Sequence, residues 1–273
     1  VPTTVAISSN GERIAAAGDD HRLRVWDSKT GEPIVRLGAH HTGWIRGIQF
    51  SPKDDLIASV GADRRLRLHS LVKPLSESYA KSMGERISTS EAALQGVAFH
   101  PTKPLIATVG FDDSLRIFNT QTGKEKQNFT CPCSDIRAVC FSSDGRWLAA
   151  AGRNGTVRVW DQLSDSSEKD LPSDGRRVRA LAFSPDSQQL AAAGDGPAVR
   201  IWQLDKTITS LRTGAREGGF NPLAQEILTR PGKNHAMMYI DNETLAVGGT
   251  MGEIRLCDVI SRRTDETLQG HTG

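Results

Sequence analysis

Short apolar runs and polar clusters alternate along this chain with a fixed rhythm. "VAIS" (5–8), "RIAAAG" (13–18) and "LRVWD" (23–27) are separated by "SNGE" and "DDHR". The same order of runs returns at 48–70, 97–119, 139–161, 181–203 and 238–258. Between the runs lie Asp, Asn, Gly, Pro and Lys, mostly turn formers, so each unit predicts three short strands joined by tight turns. A fourth run, such as "EPIVRLG" (32–38) or "DETLQG" (265–270), precedes the next unit.

The spacing is regular. Ile7 to Trp26, Phe50 to His69, Phe99 to Phe118, Phe141 to Trp160 and Phe183 to Trp202 are each 19 residues apart. The sixth unit, aligned from Ile240 to Cys257, is shorter at 17. Four antiparallel strands in a period of about 40 to 45 residues is the signature of a propeller blade. One blade cannot bury both of its faces, so blades pack side by side. The expected fold class is therefore an all-β propeller of six four-stranded blades, forming one domain over 1–273. The expected blades are 1–43, 44–92, 93–134, 135–176, 177–235 and 236–273, with insertions at 71–91 and 204–234. In repeat register Val1 stands where Trp44 does and Gly273 where Gly43 does, so six whole periods are present. The chain then either closes as six blades or is a segment of a seven-blade or larger array.

"RVWD" at 24–27 and 158–161, with "GHTG" at 270–273, resembles the WD-repeat family of β-propellers over essentially the whole chain. The resemblance implies a structural network of a loop His, a strand Ser/Thr, a turn Asp and the Trp. The Asp position holds Asp20, Asp63 and Asp112, then Asn154, Gly196 and Met251. The Trp position reads Trp26, His69, Phe118, Trp160, Trp202 and Cys257, and the His position is filled only by His41 and His271. On that reading no unit carries the whole network, and stability rests on apolar packing between blades. Trp26, Trp160 and Trp202 are expected to be buried there, while His69 and Cys257 mark looser units.

An Arg recurs two residues before each Trp position: Arg24, Arg67, Arg116, Arg158, Arg200 and Arg255. The expectation is an outer-strand position with a packed stem and a head in water. The formal net charge is only +2, from 34 Lys and Arg against 32 Asp and Glu. That balance argues against a dedicated nucleic-acid binder. No apolar run approaches the roughly 18 to 20 residues of a membrane span. "VPTTVAISSNG" at the N-terminus shows no basic segment followed by an apolar block. Four cysteines are too few for a disulfide framework, and the "CPC" at 131–133 lacks the second ligand block of a zinc site. They read as incidental loop thiols, with no metal or cofactor.

No nucleophile–base pair stands out, and the serines and aspartates recur at turn positions. Propellers of other families include metal hydrolases, which need acids on the innermost strands. Only Asp241 is acidic there, so no catalytic residue is assigned. A binding platform remains, with two alternatives: a propeller hydrolase, or a regulatory propeller attached to a catalytic or cytochrome domain. The family resemblance implies docking on the narrow face, formed by the loop before each first strand and the turn after each second. Carried over by position, that face holds Trp44, Arg46, Phe111, Arg137, Arg153, Arg177 and Arg179. Exposed aromatics are costly without a use, and Trp and Arg are enriched at interface hot spots. A protein or peptide partner is implied, with an acidic or phosphorylated segment as the class the arginines favour. Tyr79 and Phe220 in the insertions are further aromatic candidates.

Overall fold

The computed structural model describes residues 1–37, 41–71, 90–162, 168–213, 225–229 and 232–270. Tyr79, Phe220 and His271 lie outside the described residues, as do residues 72–89 of the first insertion and 214–224 and 230–231 of the second. The chain divides into two compact units, Val1–Cys131 and Pro132–Gly273.

In the first unit three antiparallel sheets follow one another. β1 to β4 (Pro2–Ile7, Arg13–Gly18, Leu23–Asp27, Pro33–Leu37) pair in chain order. β5 to β7 (Ile45–Phe50, Leu56–Gly61, Leu66–Ser70) form a sheet of three described strands. β8 to β11 (Leu94–Phe99, Leu105–Gly110, Ser114–Asn119, Glu125–Thr130) repeat the four-stranded meander. The second unit repeats it three times: β12 to β15 (Ala138–Phe141, Trp147–Ala151, Val157–Asp161, Glu168–Leu171), β16 to β19 (Val178–Phe183, Gln189–Gly194, Ala198–Gln203, Gln225–Leu228) and β20 to β23 (Asn234–Tyr239, Thr244–Gly249, Glu253–Asp258, Arg263–Gln269). The one helix among the described residues, α1 (Leu204–Thr213), falls in the expected insertion.

Alternation along the strands gives each sheet two apolar faces, and stacking of neighbours buries them. Ala15, Ala17, Leu23 and Val25 of the first sheet pack on Ile48, Phe50 and Ile57 of the second. Ala58, Val60, Leu66 and Leu68 of the second pack on Phe99, Ile106 and Phe118 of the third. In the second unit the same arrangement joins Ala149, Val157 and Val159 to Leu190 and Trp202, and Ala191, Ala193 and Val199 to Tyr239, Leu245 and Cys257. The small residues of the "LAAAG" runs allow this close approach.

Several expectations change here. In the sixth sheet Tyr239, not Ile240, pairs with Leu245, as Phe99 does with Ile106. One residue is therefore missing from the first turn, and Asp241 lies in that turn. Its Oδ1 accepts the Glu243 and Thr244 amides at 2.8 and 2.7 Å, a turn-forming role. Trp160 and Trp202 are buried as expected, but Trp26 is only half-buried, on the face that also exposes Val5 and Ile7. Cys131 and Cys133 are not incidental thiols: both are buried and disulfide-bonded, whereas Cys140 and Cys257 are free.

Among the described residues one repeat joins the His, Ser and Asp of the network, with His69 in place of the Trp. His41 Nδ1 lies 2.9 Å from Asp63 Oδ1, and His41 Nε2 lies 2.8 Å from Ser59 Oγ. Ser59 Oγ in turn lies 3.2 Å from His69 Nε2, so a second imidazole closes the chain of bonds where Trp was expected. His69 is buried and bonded.

The recurring arginines also differ from expectation. They stand on the third strand of each sheet, and the heads of Arg24, Arg116, Arg158, Arg200 and Arg255 meet acids. Arg24 and Arg116 each meet the turn acid four residues earlier, Asp20 and Asp112, at 2.6 Å. Where that acid is lost the partner moves. Arg158 grips Asp170 with two bonds of 2.6 and 2.9 Å, Arg200 pairs with Asp174, and Arg255 bonds Asn234 at 2.9 Å beside Glu253. Arg200 and Arg255 are buried, and a guanidinium beneath a neighbouring sheet must be paired rather than hydrated.

Candidate functional site

Two backbone devices place the loop residues. The first strands carry an irregularity that skips one residue of the ladder: between Ile45 and Gly47, and between Val178 and Ala180. The skipped residues are Arg46 and Arg179, and such a bulge re-aims its side chain. The same skip in the last sheet falls on His235. The second device is the glycine at the end of each second strand or, in the fourth sheet, just after it. A Cβ on Gly61 would meet Trp44 O at 2.6 Å, and one on Gly194 would overlap the Arg177 carbonyl oxygen. Only glycine lets the loop cross this closely, and the crossing fixes where Trp44 and Arg177 begin.

In the first unit the Trp44 carbonyl accepts the Ala62 amide at 2.8 Å, while the residue remains 49% exposed. The Arg46 guanidinium lies 4.6 Å from the centre of the Trp44 ring, a cation–π contact. Among the described residues Arg46 forms no ion pair. Phe111, in the turn after β9, is 40% exposed, and its amide is held by Ala93 O at 3.1 Å.

In the second unit Arg153, Arg177 and Arg179 face acids. Arg179 Nε donates to Asp195 Oδ1 at 2.6 Å, with Arg177 Nε 4.0 Å from the other oxygen. Arg153, largely exposed, lies 3.6 Å from Asp135. Arg137 opens the fourth sheet, its amide donating to Ala151 O at 3.0 Å. Burial alone would raise the Asp195 carboxyl, but Arg179, Arg177 and Lys233 outweigh it and hold it below the usual carboxylate range. Burial, the Arg179 charge and Lys233 push His235 down against the pull of Asp195. His235 and Lys233 were not singled out from sequence, because the sixth unit's irregular length hid their register. Among the described residues no group of three or more His, Cys, Asp or Glu is placed to hold a metal.

Trp44 and Phe111 in the first unit and Arg137, Arg153 and Arg177 in the second thus sit on loops or turns, whereas Arg46 and Arg179 stand at the bulges of β5 and β16. The meander sheets, the third-strand arginines and the His–Ser–Asp network define a WD-type β-propeller. The family model described as "WD domain, G-beta repeat" matches residues 1–27, 31–70, 84–119, 123–161 and 168–203, more than half of the chain. The chain belongs to the WD40-repeat family.

Curated relatives match over short stretches. Cilia- and flagella-associated protein 52 of Homo sapiens is 39% identical over 57 residues, 21% of this chain and 9% of that protein. The nuclear distribution protein PAC1 of Arthroderma otae is 33% identical over 76 residues, 28% of this chain and 16% of its own length. The periodic tryptophan protein 2 homolog of Dictyostelium discoideum is 29% identical over 72 residues, 26% of this chain and 8% of its own. The matched stretches thus span a small part of each relative.

Proposed function

We propose that this chain is a non-catalytic protein-interaction scaffold, the typical role of WD40-repeat proteins, and that its loop face holds an acidic or phosphorylated peptide or partner domain. The observation that supports this most is the pair formed by exposed Trp44 and Arg46. A guanidinium with no acidic partner among the described residues, stacked on an open indole, offers a fork for a carboxylate or phosphate beside a flat apolar anchor. Phe111 adds a second exposed aromatic in the same unit. In the second unit a ligand anion would have to compete with Asp135 and Asp195, so those arginines contribute less. The hydrolase alternative loses its only candidate, since Asp241 is a turn former.

The test is an array of acidic and phosphorylated peptides probed with the wild type and two double variants. Trp44→Ala with Arg46→Glu is expected to weaken capture at least tenfold, about 1.4 kcal/mol. Arg153→Glu with Arg177→Glu should have the smaller effect. Capture unchanged in both folded variants would remove the platform from this face.

A further inference from the structure

A second surface lies at the opposite ends of the strands, where the first turn of each sheet meets its neighbour. In three neighbouring pairs, the turn of one sheet donates a backbone N–H to a side chain on the corresponding turn of the next. Ser9 and Asn10 donate to the Asp54 carboxylate at 2.8 and 3.0 Å. Asp144 donates to Ser187 Oγ at 3.1 Å, and Asp186 to Asn242 Oδ1 at 3.0 Å.

Between the second and third sheets this clasp is missing. The position of Asp54 and Ser187 is there occupied by Lys103, whose ammonium can only donate. Asp54 and Ser187 adopt left-handed backbone, φ 55° and 62°. Lys103 precedes Pro104, which drives the preceding residue to extended conformations. Side chain and backbone therefore both leave the position. The Lys53 N–H, counterpart of the Asn10, Asp144 and Asp186 amides, has no acceptor among the described residues.

A cavity of about 390 Å³ opens at this place, with Lys53 and Lys103 among its lining residues and Pro52, Phe99 and Pro104 supplying an apolar wall. Neither lysine forms an ion pair among the described residues. The one acid in the lining, Asp55, accepts the Ser51 hydroxyl at 2.7 Å. The volume lies near the lower end of the about 300–1,000 Å³ of ligand pockets, enough for one or two side chains.

We infer that this pocket binds an acidic peptide through an Asp or Glu side chain. The guest carboxylate takes the role that Asp54 plays one pair earlier, accepting from the Lys53 amide with the Lys53 and Lys103 ammonium groups beside it. The peptide's apolar neighbour lies on the Pro52, Phe99 and Pro104 wall. Two lysines lining one recess, with a backbone N–H that has no acceptor among the described residues, are complementary to a carboxylate. The site is separate from the Trp44 face and does not depend on its reading.

The probe is a fluorescein-labelled hexapeptide amide, Gly-Ala-Asp-Leu-Ala-Gly, followed by anisotropy against the same peptide with Asn replacing Asp. The wild-type chain is expected to prefer the Asp peptide at least tenfold. Lys53→Glu and Lys103→Glu should each abolish that preference, while Lys206→Glu, an equal charge change elsewhere, and Trp44→Ala with Arg46→Glu should leave it intact. Lys103→Asp with Pro104→Gly restores an acceptor and its backbone, so it should fill the recess and also block the peptide. Equal binding of the two peptides, or a preference that survives both lysine reversals, overturns the inference. A preference lost only in the Trp44 variant would place the peptide on the other face and likewise overturn it.

Discussion

Asp63 shows how one side chain carries several obligations. It is almost fully buried, accepts from His41, and takes the Thr42 amide at 3.1 Å and the Arg65 amide at 3.3 Å. Burial alone would raise its carboxyl, but the His41 bond and charge, with the two amides, bring it below its ordinary value. A carboxyl depressed in the folded state stabilises that state above its unfolded value, and the contribution is lost as pH falls through the folded one. Asp63→Asn is therefore expected to cost about 1.5–3 kcal/mol near pH 7 and to flatten the loss of stability on acidification below about pH 4. Urea titrations of both proteins from neutral pH to acid measure this. An unchanged acid limb in the variant would show that the network carries no such charge.

At the scale of the strand and sheet, the energetics follow the stacked faces. Trp202 is 1% exposed, with its indole N–H donating to Pro172 O at 3.2 Å, whereas Trp26 has an incompletely covered face. Trp202→Ala and Trp160→Ala should each cost about 3–5 kcal/mol. Trp26→Ala should cost under about 2 kcal/mol, since less apolar area leaves water there. Chemical denaturation would reveal the difference, and equal losses at the three sites would contradict it. The strands themselves were legible in the sequence, because period-2 alternation bounded by turn residues has few other solutions. The register of the sixth unit was not. Met238, Tyr239 and Ile240 are all apolar, and a slip of one residue exchanges the two faces without changing the pattern.

Over the whole chain, hydrogen exchange should follow burial unit by unit. Within the first unit Pro2–Ile7 should exchange fastest among the first strands, and within the second Arg263–Gln269 should be the least protected strand, both being mostly exposed. The 48–70 segment, closed by His41, Ser59, Asp63 and His69, should be no faster than 139–161. Faster exchange there would mean the second imidazole is a poor substitute for Trp. What the sequence hid at this scale was partnership over distance. Repeat register placed the loop residues along the chain, yet nothing in it announced that Arg158 would turn to Asp170, or that Arg179 would be held by Asp195.

The moving acids bear on how such an array can grow. Arg24, Arg116 and Arg158 find their counter-charges within their own sheet or its turns, on Asp20, Asp112 and Asp170. Arg200 instead takes Asp174 from the connection that precedes its sheet. A gene segment encoding the fourth unit can be copied elsewhere with its charge already balanced. The fifth cannot be transplanted without its predecessor's tail, or a buried guanidinium would arrive with no anion. Duplication by recombination is therefore cheap for some units and barred for others. The breakpoints that survive should fall upstream of Asp174 rather than at the strand that follows it.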